Sequence, residues 1–90
     1  MDNNTLSSLR SQLDDIDSRM VELFVRRARI SREIGSYKKQ NALAVLDKAR
    51  EEEKLAELSR LSGEELAAYT QRLYRLIFEI SRELQKDTND

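Results

Sequence analysis

Between Leu6 and Lys39 the chain carries one unbroken helical pattern. Its apolar residues fall at Leu6, Leu9, Leu13, Ile16, Met20, Leu23, Ile30 and Ile34, in steps of three and four. That spacing is the signature of a helix seam that faces inward. A helix of about 34 residues is ~50 Å long, roughly twice the ~25 Å expected across a compact domain of this length. The rest of the chain is too short to cover such a seam. Two copies can cover it if the long helices pack antiparallel or cross and the shorter helices of each subunit cover the other. The expectation is therefore an intertwined homodimer with no stable monomer.

One position on the seam breaks the pattern. Counting four on from Leu23 and three back from Ile30 both reach Arg27, a charge where a hydrocarbon belongs. A guanidinium taken out of water is costly unless paired, so Arg27 is either a register-setting charge, paired for instance with Glu51, or a hook for an anionic ligand.

Composition narrows the class. The 90 residues include two glycines and no proline, which leaves little to punctuate strands and turns and points to a single all-helical domain over 1–90. There is no cysteine and no histidine, so disulfides, the common zinc sites, thiol nucleophiles and imidazole acid-base chemistry are absent. Sixteen basic and seventeen acidic side chains nearly cancel, leaving no net field to hold nucleic acid or an anionic membrane. Met1 to Ser8 has neither a basic start nor an apolar core of the signal-peptide kind, and no stretch reaches transmembrane length. A cytoplasmic protein with no nucleic-acid or membrane partner is expected.

The first helix is predicted over about 5–39, capped by Asn4 or Thr5. Gly35 inside it costs roughly 1 kcal/mol relative to alanine, which suggests that something approaches the backbone there. Residues 40–46 lose the periodicity and read as a loop, after which Asp47 is placed to cap a second helix over about 47–61. That helix has a thin stripe of Leu55, Leu58 and Leu61, and extending it back by four reaches Glu51. Ser62 and Glu65 have the spacing of a capping box, predicting a turn at 62–63 and a third helix over about 63–86. Its inward face is read as Leu66, Leu73, Ile77, Ile80 and Leu84 with Tyr69, Tyr74 and Phe78 alongside, and Ser81 and Gln85 lie on that same face. The tail from Lys86 to Asp90 is expected to fray.

All three helices thus place polar groups where apolar ones belong: Arg27 and Lys38 on the first, Asp47, Arg50 and Glu51 on the second, Ser81 and Gln85 on the third. Singly, each has an ordinary structural explanation: Ser81 and Gln85 as a satisfied interhelical hydrogen bond, Lys38 and Arg50 as surface cations with buried stems. Together they describe a polar cavity inside a helical bundle, with cations in excess over carboxylates, suited to a small dianion. Asp14, Asp15 and Asp17 flank the seam residues Leu13 and Ile16 and read as a solvated face rather than a magnesium site, and Arg26, Arg29 and Arg32 as a surface strip.

Leu9-Arg10, the segment from Ile16-Asp17 to Arg27, Glu33-Ile34-Gly35 followed by Lys38, the D-x-x-R-E of Asp47 to Glu51, and Ser81 with Gln85 make the chain resemble the all-helical chorismate mutases over nearly its whole length. It departs from them in the loop before the second helix, which commonly contains proline and here has Ala44 and Val45. The resemblance implies an intertwined dimer of three-helix subunits that converts chorismate to prephenate in aromatic amino-acid biosynthesis, without a cofactor or a metal. It implies that Arg27 binds a substrate carboxylate while Arg10 reaches over from the other subunit, and that Lys38 sits against a carboxylate and the ether oxygen. Gln85 would donate to the ether oxygen, Glu51 and the backbone near Asp47 would hold the ring hydroxyl, and Ser81 and Arg50 would complete the pocket. Two rivals are an isochorismate pyruvate lyase, which shares this fold and pocket, and a non-enzymatic helical dimerisation module. The D-x-x-R-E motif favours the mutase over the lyase, and the internal polar set has no purpose in a mere scaffold.

Overall fold

The computed structural model describes residues 3–87, which form three helices and, among those residues, no strand. α1 spans Asn3–Gln40, α2 Lys48–Ser62 and α3 Ala67–Lys86. Of the tail expected to fray, Lys86 is still in α3 and Asp87 is its C-cap, while residues 88–90 lie outside this range.

α1 is already helical at Asn3, so Asn4 and Thr5 stand inside it rather than at its cap. It ends without glycine. Ala42 adopts the left-handed conformation at φ 56°, and the Leu43 and Ala42 amides donate to Lys38 O (2.7 Å) and Lys39 O (3.3 Å), closing the last turn in a Schellman arrangement. The Asn41 side chain adds a bond to Tyr37 O at 2.8 Å. Asp47 caps α2 as its position predicted, its Oδ1 accepting from the Arg50 amide at 3.0 Å.

The turn before α3 differs from expectation. Gly63, at φ 86° and ψ 164°, terminates α2, and α3 begins only at Ala67. Ser62 belongs to α2, where its hydroxyl donates back to Ser59 O at 3.1 Å, so the capping box with Glu65 does not form. The position before α3, Leu66, offers no side-chain cap. A backbone conformation that is nearly exclusive to glycine overrides the capping signal of the serine.

α3 packs against both α1 and α2, while α1 and α2 make no direct helix-to-helix contact. The molecule measures 58 × 30 × 14 Å with a radius of gyration of 17.0 Å, against ~12 Å for a compact chain of this length. α3 reaches only the C-terminal part of α1. Every residue from 4 to 26 is exposed, and the seam is bare, from 38% exposure at Leu6 to 58% at Leu13 and Leu23. The stripe of α1 that is covered consists instead of Arg27, Ser31, Gly35 and Lys38. The buried apolar side chains are just Leu55 and Phe78, joined by Ser31, Ser59 and Ser81. Leu61 on α2, Leu66 just before α3, and Tyr69 and Leu73 on α3, which the periodicity pointed inward, are exposed. The inner face of α3 is centred on Phe78 and Ser81.

Gly35 is where α1 and α3 come closest. A methyl group added there would stand 2.6 Å from Gln85 Cα and 2.8 Å from its carbonyl carbon, and nearer still to its carbonyl oxygen. Backbone cannot rotate away as a side chain can, so the helices would have to separate. Gly35→Ala should gain ~1 kcal/mol of helix propensity but lose more through overpacking, which typically costs ~1–3 kcal/mol. A lower midpoint in urea unfolding is expected; an unchanged or higher midpoint would show that the crossing is looser than described.

Candidate active site

The crossing at Gly35 brings Gln85 of α3 beside Lys38, one turn further along α1. Lys38 Nζ donates to Gln85 Oε1 at 3.1 Å and to Val45 O at 2.8 Å. The second bond holds the proline-free loop against α1. The first orients the Gln85 amide, because occupying its oxygen leaves its NH₂ as the free donor. Two turns back along the same crossing, Arg27 Nη1 donates to Ser81 Oγ, and the guanidinium lies 5.7 Å from the Phe78 ring centroid.

These groups line an open cavity of about 460 Å³ between the helices. Of the residues singled out from the sequence, Arg27, Lys38, Asp47, Arg50, Glu51, Ser81 and Gln85 all face it. Arg10 does not. It is exposed on the bare part of α1, 17 residues or ~25 Å before Arg27. Two further polar or charged contributors do not follow from the seam pattern. Ser31 is buried and lines the cavity one turn after Arg27. Lys54, one turn after Arg50, lines it too, with its ammonium 3.3 Å from Glu57 Oε2. Arg82, next to Ser81, reaches α2 instead and pairs with Glu51 Oε1 at 2.5 Å. The available signal for Ser31 and Lys54 is helical spacing, each standing four residues beyond a cavity cation.

The electrostatics of the cavity follow from these partners. Four cationic side chains, Arg27, Lys38, Arg50 and Lys54, face two acidic ones, Asp47 and Glu51. Asp47 is engaged as the α2 cap and Glu51 by Arg82. Glu51 is therefore not the counter-ion of Arg27, and the reading of Arg27 as half of a buried pair with Glu51 is overturned. Arg27 and Lys38 bond to neutral groups: a hydroxyl, an aromatic face, an amide oxygen and a carbonyl. Neutral dipoles hold a cation in place without cancelling its charge, so the excess is left for a ligand. The walls contributed by Ile30, Ile34, Val45 and Phe78 give an apolar body with converging donors, the usual make-up of a small-molecule site.

Elsewhere the charged clusters stay on the surface: Asp14, Asp15, Asp17, Arg26, Arg29 and Arg32 are exposed. Among the described residues no group of three or more acidic side chains is gathered as metal ligands would be, and no helix is long and apolar enough to cross a membrane.

Comparison with curated proteins and with solved structures gives no match. The sequence profile of the family described as chorismate mutase type II matches residues 9–86. That span takes in Arg10, the whole cavity lining and the crossing at Gly35. The three-helix chain, with its cationic interhelical cavity, belongs to the type II chorismate mutase family.

Proposed function

We propose that the protein is a chorismate mutase acting as a homodimer, rearranging chorismate to prephenate on the route to the aromatic amino acids. The observation that carries this reading is the cavity in which Arg27 and Lys38, both held by neutral partners, converge beside the NH₂ of Gln85. Chorismate is a dianion, and its rearrangement is unimolecular. The protein has to hold the substrate in its reactive folded conformation and stabilise the charge that grows as the C–O bond breaks. Arg27 binds one carboxylate. Lys38 bridges a carboxylate and the ether oxygen, to which Gln85 donates its NH₂. Glu51 and the backbone around Asp47 hold the ring hydroxyl, while Ser81 and Arg50 close the pocket. A 10⁶-fold acceleration asks for ~8 kcal/mol, within reach of conformational restriction plus two or three preorganised donors. Conversion of chorismate by the purified protein, followed through loss of the substrate's absorbance, tests the reading directly; no turnover above the spontaneous rate overturns it.

The bare seam supports the dimer. An apolar stripe exposed along more than half of a 38-residue helix is more than a soluble monomer tolerates, and it is the surface a second long helix would cover. Arg10 then serves the cavity of the other subunit. Arg10→Ala and Arg27→Ala should each be inactive alone. Mixed under subunit exchange, they should recover about a quarter of full activity, because half the dimers are mixed and each mixed dimer has one intact site of two. No recovery despite verified exchange would rule out a shared site.

Arg27 is retained for binding and not for stability. Replacing it removes a cation–π contact and one hydrogen bond but relieves its repulsion with Lys38 and Arg50. Arg27→Leu and Arg27→Met should therefore melt within a few degrees of the parent or above it, while turnover falls by about 10²–10³. Unfolding of both variants would make Arg27 a structural residue.

Gln85→Glu probes the ether-oxygen donor. An amide donates at any pH, whereas a carboxyl donates only while protonated and, once ionised, opposes the developing negative charge. With no histidine or cysteine in the chain, the parent should show a nearly flat rate between about pH 6 and 8.5. The Gln85→Glu protein should work best in acid and lose kcat/KM as pH rises through the new carboxyl's pKa. A flat profile for Gln85→Glu would place Gln85 away from the ether oxygen.

A further inference from the structure

Arg82 lies outside the cavity lining, yet it contacts the one cavity carboxylate that is not used as a helix cap. Its Nη1 is 2.5 Å from Glu51 Oε1, and the two side chains are 29% and 23% exposed. The other ion pair between the same helices, Arg75 with Glu52, is longer at 3.4 Å, and both its side chains are more than half exposed. Exposed pairs of that kind are screened and contribute little, whereas a short, half-buried, charge-assisted bond restrains the groups that make it. Ser81 and Arg82 are consecutive on α3 and so point about 100° apart. The first turns into the cavity to meet Arg27, and the second turns toward α2.

Two consequences follow for Glu51. One carboxylate oxygen is occupied from behind, which fixes the side-chain rotamer and leaves the other oxygen to accept a bond from inside the cavity. The negative charge of Glu51, unfavourable beside an incoming dianion, is also balanced by a cation that takes no ligand itself. We propose that Arg82 is a positioning residue: it holds the Glu51 carboxylate for the substrate's ring hydroxyl and screens its charge from the substrate's carboxylates. The inference rests on the mutase reading above and assigns a role to a side chain that does not touch substrate.

Steady-state kinetics with chorismate, together with thermal melts by circular dichroism, test it on the 90-residue chain. The parent is compared with Arg82→Gln, Arg82→Lys, Glu51→Gln, the Arg82→Gln/Glu51→Gln double variant, and Arg75→Gln as the control for an exposed interhelical pair. Loss of fixed geometry at one contact typically costs about ten- to a hundredfold, so Arg82→Gln should lose that much in kcat/KM while remaining folded. Arg82→Lys should recover most of the loss, and Arg75→Gln should stay within about twofold of the parent. In the Glu51→Gln background the further change Arg82→Gln should cost less than about threefold, since the group it positions is already altered. A purely structural role would instead lower the melting temperature, leave kcat/KM of the folded protein intact, and multiply with Glu51→Gln. An active parent with an Arg82→Gln variant within twofold, a variant that fails to fold, or losses that multiply in the double variant overturns the assignment of Arg82 alone. A parent that does not turn over chorismate overturns the mutase reading and, with it, this inference.

Discussion

The contact on which the cavity depends is the crossing of α1 and α3 at Gly35. Backbone meets backbone there, with Gln85 seated where a side chain on residue 35 would have to be. The closeness has a direct chemical effect. Lys38 and Gln85 come within 3.1 Å of each other, and Arg27, two turns earlier, meets Ser81 and Phe78. A larger residue at the crossing would open the angle between the helices, and the donors would no longer converge on a small volume. A penalty in helix propensity at residue 35 is thus converted into geometry at the cavity.

The second constraint is electrostatic. The cavity keeps Arg27 and Lys38 without a counter-ion while still fixing where they point. Here that is achieved by giving Arg27 and Lys38 neutral acceptors and by occupying the nearby carboxylates with other tasks, Asp47 at the α2 cap and Glu51 against Arg82. Charges gathered in this way are a poor source of stability, since those that lack counter-ions repel one another. The apolar core is correspondingly small, among the described residues Leu55 and Phe78 with three serines.

Much of this was legible in the chain. Spacing in threes and fours marked the long helix, the lapse after Gln40 marked the loop, and Asp47 marked the start of α2, because each is a local signal carried by adjacent residues. The polar residues of the inward faces stood out as breaks in an apolar pattern, and seven of them share the cavity. α3 starts later than its capping signal predicts, because a capping-box spacing at Ser62 and Glu65 competes with a glycine at φ 86°, and backbone conformation wins over a side-chain bond worth about 1 kcal/mol. Leu61, Leu66, Tyr69 and Leu73 have inward spacing yet are exposed, because periodicity identifies an apolar face without saying whether anything covers it.

The sequence by itself determined the helices, the length mismatch that leaves a seam uncovered, and the family, since these rest on short-range periodicity and on motif spacing along the chain. Only the tertiary structure decided which side chain meets which. Arg27 and Glu51 look like natural partners on charge alone, and both face the cavity, but α3 gives Arg27 to Ser81 and Phe78 and Glu51 to Arg82. Ser31 and Lys54 become cavity residues for the same reason. A helix dictates the directions its side chains take, but the partner found in each direction depends on how closely and at what point two helices cross, and that is set by the contact at Gly35.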